Sequence, residues 1–171
     1  MSRARGEVIL FRMLQRSGST CPDPDPHHAA YPQPPLGAGD LSVQYGPLPS
    51  SVRRARSEVR RQLEAWGIAD RDAEVVEVAQ LLVSELATNA LLHSGGGFRL
   101  TLSAAHGVLR CEVSDSGRRV PRVLDAGTGE SGRGLFLVEA LALRWGWRHD
   151  GPGKSVWFEL GTCGADGCGR R

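Results

Sequence analysis

Residues 75–94 read VVEVAQLLVSELATNALLHS, from Val75 to Ser94. The stretch is mostly apolar, rich in Leu and Ala and free of Gly and Pro, so it is expected to be a helix. Glu85, Asn89 and His93 are set into it at intervals of four. At about 3.6 residues per turn, this spacing puts all three on one slowly drifting stripe. A carboxylate and an amide among Leu, Val and Ala cost free energy unless something satisfies them. They either bond neighbouring backbone or face a polar ligand, and the helix alone leaves both open.

The flanks supply the boundaries. Gly67 ends a preceding helix, Asp70 or Asp72 caps the organising one, and Glu74 and Glu77 lie near its positive end. Ser94-Gly95-Gly96-Gly97 terminates it. Upstream, Leu41-Ser-Val-Gln-Tyr alternates apolar and polar residues, as a half-buried edge strand does. Pro47 and Pro49 break it, and Ser50 or Ser51 can cap the helix that follows. From Ser51 to Trp66, one face carries Val52, Ala55, Val59, Leu63 and Trp66. Arg53, Arg54, Arg56, Arg60 and Arg61 dominate the rest, as a solvated basic face or as a surface that favours an acidic partner.

Downstream, Phe98-Arg-Leu-Thr-Leu-Ser and Val108-Leu-Arg-Cys-Glu-Val-Ser predict a hairpin turning at Ala105-His106-Gly107, with Leu109, Cys111 and Val113 on one face. Asp115-Ser116-Gly117 follows the second strand. Gly132-Arg133-Gly134-Leu135 opens an apolar helix expected from Gly134 to Leu143. Two last strands, Trp145–His149 and Ser155–Leu160, flank the turn Asp150-Gly-Pro-Gly-Lys.

Each short motif has its own chemistry. A carboxylate at a strand end, Asp115, can accept from the exocyclic amine of adenine and disfavours guanine, whose oxygen would face it. Gly117 lets backbone approach a flat ring with no Cβ in the way. Asp-Ser-Gly is equally a common turn. Gly132 and Gly134 permit close approach of an anion to the free N–H groups of a helix start, and Arg133 can add a charge-assisted bond. Gly153-Lys154-Ser155 precedes a strand and lacks the upstream glycine spacing, which excludes a phosphate-binding Walker A loop.

The order of these motifs, E-x-x-x-N on a helix, then D-x-G, then G-x-G-L before a second helix, resembles the GHKL ATPase superfamily. The wording SELATNALLHS, VSDSG, GRGLFLVEALALRWG and GKSVWFEL resembles one branch, the stand-alone histidine-kinase-like ATPase domains of bacterial anti-sigma-factor serine/threonine kinases. The resemblance covers about Leu41 to Leu160. It implies a two-layer α/β sandwich, a mixed and mostly antiparallel sheet with helices on one face. It implies ATP and Mg2+ as cofactors, with Asn89 as metal ligand, Glu85 as general base, and Asp115 and Gly117 at the adenine. It also implies that Asn89, Gly132, Arg133, Gly134 and Leu135 hold the nucleotide, and that residues 117–131 form a short lid. His93 matches a position where the family often carries histidine and stays peripheral.

Lys154 and Ser155 stand where relatives place a Gly-Thr-like pair, a departure from the pattern. By the same resemblance the protein transfers the γ-phosphate of ATP to a small anti-sigma-antagonist protein. A sigma factor is a second expected partner, and a homodimer is compatible with it. The competing reading is a catalytically weak ATP-binding module that sequesters a regulatory partner such as a sigma factor. No dimerising helical hairpin with a phospho-acceptor precedes the motifs, which argues against a histidine kinase proper.

Composition bounds the remainder. A chain of 171 residues has room for one domain with a proper core plus extensions. A formal charge of +2 and an aromatic share of 6% give no nucleic-acid signature. No run is read as long and apolar enough to cross a bilayer, and Arg12 interrupts the apolar VILF patch, so no secretory signal is expected. Residues 1–40, with Cys21-Pro-Asp-Pro-Asp-Pro-His-His and Tyr31-Pro-Gln-Pro-Pro, read as a disordered proline-rich extension. Residues 41–160 form the ATPase-like domain, and residues 161–171 a flexible Gly/Cys/Arg tail. Cys111 is expected as a small buried hydrophobe. Cys163 and Cys168 are too isolated for a zinc site, and a reducing cytoplasmic setting follows.

Overall fold

The computed structural model describes residues 40–121 and 133–162. The proline-rich extension, most of the expected lid, Gly132, the Arg133 side chain and the tail from residue 163 lie outside the described residues. In chain order the elements are β1 (Asp40–Tyr45), α1 (Ser50–Ala65), α2 (Ala73–Ser94), β2 (Phe98–Ala105), β3 (Val108–Asp115), α3 (Arg133–Leu141), β4 (Arg144–Asp150) and β5 (Gly153–Gly161). The strands form one sheet in the order β1-β2-β3-β5-β4. Every pairing is antiparallel.

The fold is the expected α/β sandwich, with the sheet wholly antiparallel rather than mixed. Period-two alternation sends Val43 and Tyr45, Phe98 to Leu102, Leu109 to Val113 and Val156 to Leu160 to the helix-facing side. The same core takes Ala55, Val59 and Leu63 from α1, Leu82, Val83 and Leu86 from α2, and Leu135 and Val138 from α3. Phe98 and Phe158 are fully buried there, each stabilising by roughly 1.5–3 kcal/mol.

α2 meets the length and composition of a membrane-spanning helix, its best window having a mean hydropathy of 1.4. This corrects the expectation that no run is apolar enough. The helix instead packs in the core, from Val75 to Ala90, because the sheet and two flanking helices need apolar contacts on more than one of its sides.

The ends of α2 follow the local signals. Asp72 accepts a hydrogen bond from Val75 N at 3.1 Å, satisfying one free donor of the first turn. Gly95 closes the helix at φ 66°, in the left-handed region that a side chain disfavours. α1 departs from expectation: neither Ser50 nor Ser51 caps it, and Pro49 occupies the N-cap with no side-chain bond. The Ser51 hydroxyl donates instead to Gly46 O at 2.8 Å, closing the turn between β1 and α1. α3 stops at Leu141, short of Leu143, whose N–H donates to Glu159 O at 2.9 Å and so already belongs to the sheet.

The far face of the sheet is polar but well covered. Arg110 Nη1 bonds Glu159 Oε1 at 3.1 Å, Arg144 Nη2 bonds Glu159 Oε2 at 2.6 Å, and Arg148 Nη2 bonds Glu112 Oε1 at 2.7 Å. The Arg110 guanidinium lies 4.0 Å over the Trp157 ring, a cation–π contact that shields the indole.

Candidate functional site

The stripe predicted on α2 forms, with Glu85 and Asn89 half-buried and His93 exposed. What lies against it is the start of α3. A Cβ on Gly134 would sit 2.9 Å from Glu85 Oε2 and 3.2 Å from Asn89 Nδ2. The α3 backbone therefore rests directly on these two side chains, an approach that any other residue at position 134 would disturb. Neither side chain has a hydrogen-bond partner among the described residues, and no buried polar side-chain atom there is left orphaned. Their polar atoms thus remain reachable from outside the core. Burial pushes the Glu85 carboxyl above the ordinary carboxylate range, because a low-dielectric surrounding disfavours the charged form.

Two turns along α2 the chain meets the end of β3. Asp115 Oδ1 accepts from Gly117 N at 2.7 Å and from Lys154 Nζ at 2.9 Å. Asp115 and Lys154 face each other in the β3–β5 register, and their side chains are 3% and 8% exposed, which makes this a buried ion pair. A Cβ on Gly117 would lie 2.8 Å from Asp115 Oδ1, 2.9 Å from Lys154 Nζ and 3.0 Å from His93 O. The last turn of α2, the end of β3 and the start of β5 therefore converge on one glycine. From Glu85 to His93 the helix advances about 12 Å, so the two clusters lie about that far apart along α2.

The other expected site residues divide. Leu135 is buried in the core at 6% exposure, leaving only its backbone to face a ligand. Arg133 opens α3, and Gly132 lies outside the described residues. Ser155 points to the opposite face of the sheet, bonded to Ser114 Oγ at 2.7 Å and Asp150 Oδ2 at 3.1 Å. Lys154 is the residue whose role the motif comparison left open. Its signal was the alternation Lys154, Val156, Phe158, Leu160: a lysine ending an apolar stripe requires a counter-ion. Among the described residues no group of three or more His, Cys, Asp or Glu could hold a metal ion.

The fold is thus an open antiparallel sheet backed by helices, with an acid and an amide on α2 and an aspartate at the end of β3. The chain belongs to the histidine kinase-like ATPase domain family, whose family model matches residues 46–160. It is thus an ATP-binding domain of GHKL type, as the motif order implied. It is similar to the uncharacterized protein SCO4941 of Streptomyces coelicolor, 38% identical over 81 residues, covering 43% of this chain and 76% of that protein. Among solved structures it is similar to the RsbU and RsbW domains of Rv1364c from Mycobacterium tuberculosis, with a TM-score of 0.56 and 20% identity. That match covers 73% of this chain and 33% of the other, so the chain spans a third of that protein's length, and the likeness is one of fold.

Proposed function

We propose that this domain binds Mg-ATP and transfers the γ-phosphate to a serine or threonine of a small anti-sigma-antagonist protein in the cytoplasm. The observation that carries the reading is the trio Glu85, Asn89 and Gly134: an acid and an amide without hydrogen-bond partners among the described residues, beneath a glycine in the first turn of α3. The motif wording supports the anti-sigma branch, and the fold likeness to a structure that includes an RsbW domain agrees with it. The residues fit the cofactor. Asn89 would offer its neutral carbonyl oxygen to a hard cation such as magnesium. The backbone N–H groups of α3 donate to phosphate oxygens, and Gly134 lets them come close.

In this reading Glu85 takes the proton of the incoming hydroxyl as the new O–P bond forms and the bond between the γ-phosphorus and the bridging oxygen breaks, releasing ADP. Its burial suits the task, since a carboxyl with a raised pKa is a stronger base. Bound magnesium supplies charge neutralisation of the phosphates. Asp115, at the end of β3 beside the last turn of α2, orients the adenine. Residues 41–160 carry all of these groups, which makes them the functional unit.

The test separates enzyme from holder. Asn89→Ala weakens Mg-dependent ATP binding and turnover together. Glu85→Ala leaves Mg-ATP affinity nearly intact and slows phosphotransfer to the co-purified partner by about 10²–10⁴-fold. Undiminished transfer in Glu85→Ala removes Glu85 from the mechanism. ATP binding without transfer to any co-purifying protein favours the module that sequesters its partner.

A further inference from the structure

Lys154 is the only lysine in the chain; the rest of its 21 Lys and Arg residues are arginine. It is buried on the helix-facing side of the sheet, on the carboxylate that the nucleotide reading assigns to the base. Its compact ammonium carries three donors, where an arginine would present a planar guanidinium fork. Asp115 Oδ1 already accepts twice, from Gly117 N at 2.7 Å and Lys154 Nζ at 2.9 Å. Asp115 Oδ2 receives no hydrogen bond among the described residues. Lys154 spends one donor on Oδ1 and a second on Gly117 O at a long 3.5 Å. Among the described residues one acceptor and one donor of the pair are left unspent.

We propose that Lys154 is a specificity-determining residue of the base site, and that the Asp115–Lys154 pair accepts 6-oxopurine nucleotides as well as adenine. The proposal rests on the nucleotide reading above and deepens it. Adenine presents its N6 amine as donor beside N1 as acceptor. Guanine and hypoxanthine present N1–H as donor beside O6 as acceptor. A carboxylate standing alone meets O6 with repulsion and so selects adenine. A carboxylate with an ammonium at its side offers O6 a charge-assisted bond while Oδ2 accepts from N1–H. Guanine exclusion, expected from Asp115 alone, is therefore lifted by its neighbour.

Calorimetry on the full chain with ATP, GTP and ITP, for the wild type, Lys154→Thr and Lys154→Arg, tests this. The wild type is expected to bind GTP and ITP within about tenfold of ATP. Lys154→Thr should lose at least about tenfold more affinity for the two 6-oxopurines than for ATP, the weight of one charge-assisted bond. Lys154→Arg should not restore them. A wild type that prefers ATP by about a hundredfold or more, with a ratio unchanged in Lys154→Thr, makes Lys154 a counter-ion only and overturns the proposal. A wild type that binds none of the three overturns the nucleotide reading itself, and this proposal with it. Because the chain has a single lysine, 13C-lysine labelling gives one Cε signal, which should shift on saturation with ATP and with GTP. A signal that moves with neither nucleotide while both bind overturns the proposal even where the variants fail to fold.

Discussion

Gly134 and Glu85, on helices separated in sequence by the β2–β3 hairpin, are packed so closely that a Cβ on the glycine would lie 2.9 Å from Glu85 Oε2. The contact ties the candidate base to the helix start that would cradle the phosphates. A displacement of one is felt by the other.

Gly134→Ala is therefore expected to separate stability from function. The atom in the way is the far end of a flexible side chain, so Glu85 can swing aside and the fold should change by no more than about 1 kcal/mol. Nucleotide binding or phosphotransfer should fall at least about tenfold, because Asn89, 3.2 Å from the same Cβ, is pushed as well. Urea denaturation and calorimetry on the same preparation check this, and unchanged binding would remove Gly134 from the site.

Burial raises the Glu85 pKa in the folded state above the ordinary carboxylate range. The folded protein then binds a proton that the unfolded chain has released, so the stability tied to this group is full below the ordinary carboxylate range and is lost as pH rises through the raised value. Glu85→Gln cannot ionise. Its stability relative to the wild type should accordingly improve as pH climbs across that window and level off above it. Parallel stability–pH curves for the two proteins would count against the raised pKa.

Asp115→Asn should act twice. Loss of a charged hydrogen bond is expected to weaken ATP binding by about 1.5–3 kcal/mol. Removing one partner of a buried ion pair should also destabilise the fold, by up to about 3–5 kcal/mol, because Lys154 keeps its charge without a counter-ion. Adding Lys154→Thr should return part of the stability and none of the ATP affinity. Denaturation midpoints of the single and double variants, read beside their affinities, separate the two effects.

Residues 1–38 should be dispensable for the domain. A chain beginning at Gly39 retains the whole of β1, whose Asp40 pairs with Ser103, and should keep the parent's melting temperature and its stabilisation by ATP. Unfolding on truncation would mean that the proline-rich extension docks on the domain.

Much of the element plan was legible because its causes are local. The caps at Asp72 and Gly95 need only a side chain or a left-handed turn within a few residues. The inward alternation of Leu109, Cys111 and Val113 needs only the pleat. Where a local rule failed, a tertiary contact outcompeted it: Ser51 is drawn to Gly46 O and buried, so its hydroxyl is unavailable to cap α1. The apolar composition that reads α2 as a helix cannot by itself separate a core helix from a membrane helix; the sheet and helices packed against it do so.

By itself the sequence determined that a helix carries Glu85, Asn89 and His93 on one stripe, that Asp115 stands at a strand end, and that Gly134 lies at a helix start. All of these follow from periodicity and turn chemistry over a few residues. Only the tertiary structure decided which groups meet. Alternation along β5 tells that Lys154 faces the same way as Phe158, but not which strand lies beside it. That choice belongs to the sheet as a whole, because a strand is seated by the hydrogen bonds and apolar burial of all its neighbours at once. Seating β5 between β3 and β4 brings Lys154 onto Asp115, 39 positions away in the chain, and turns an isolated carboxylate into an acid–ammonium pair.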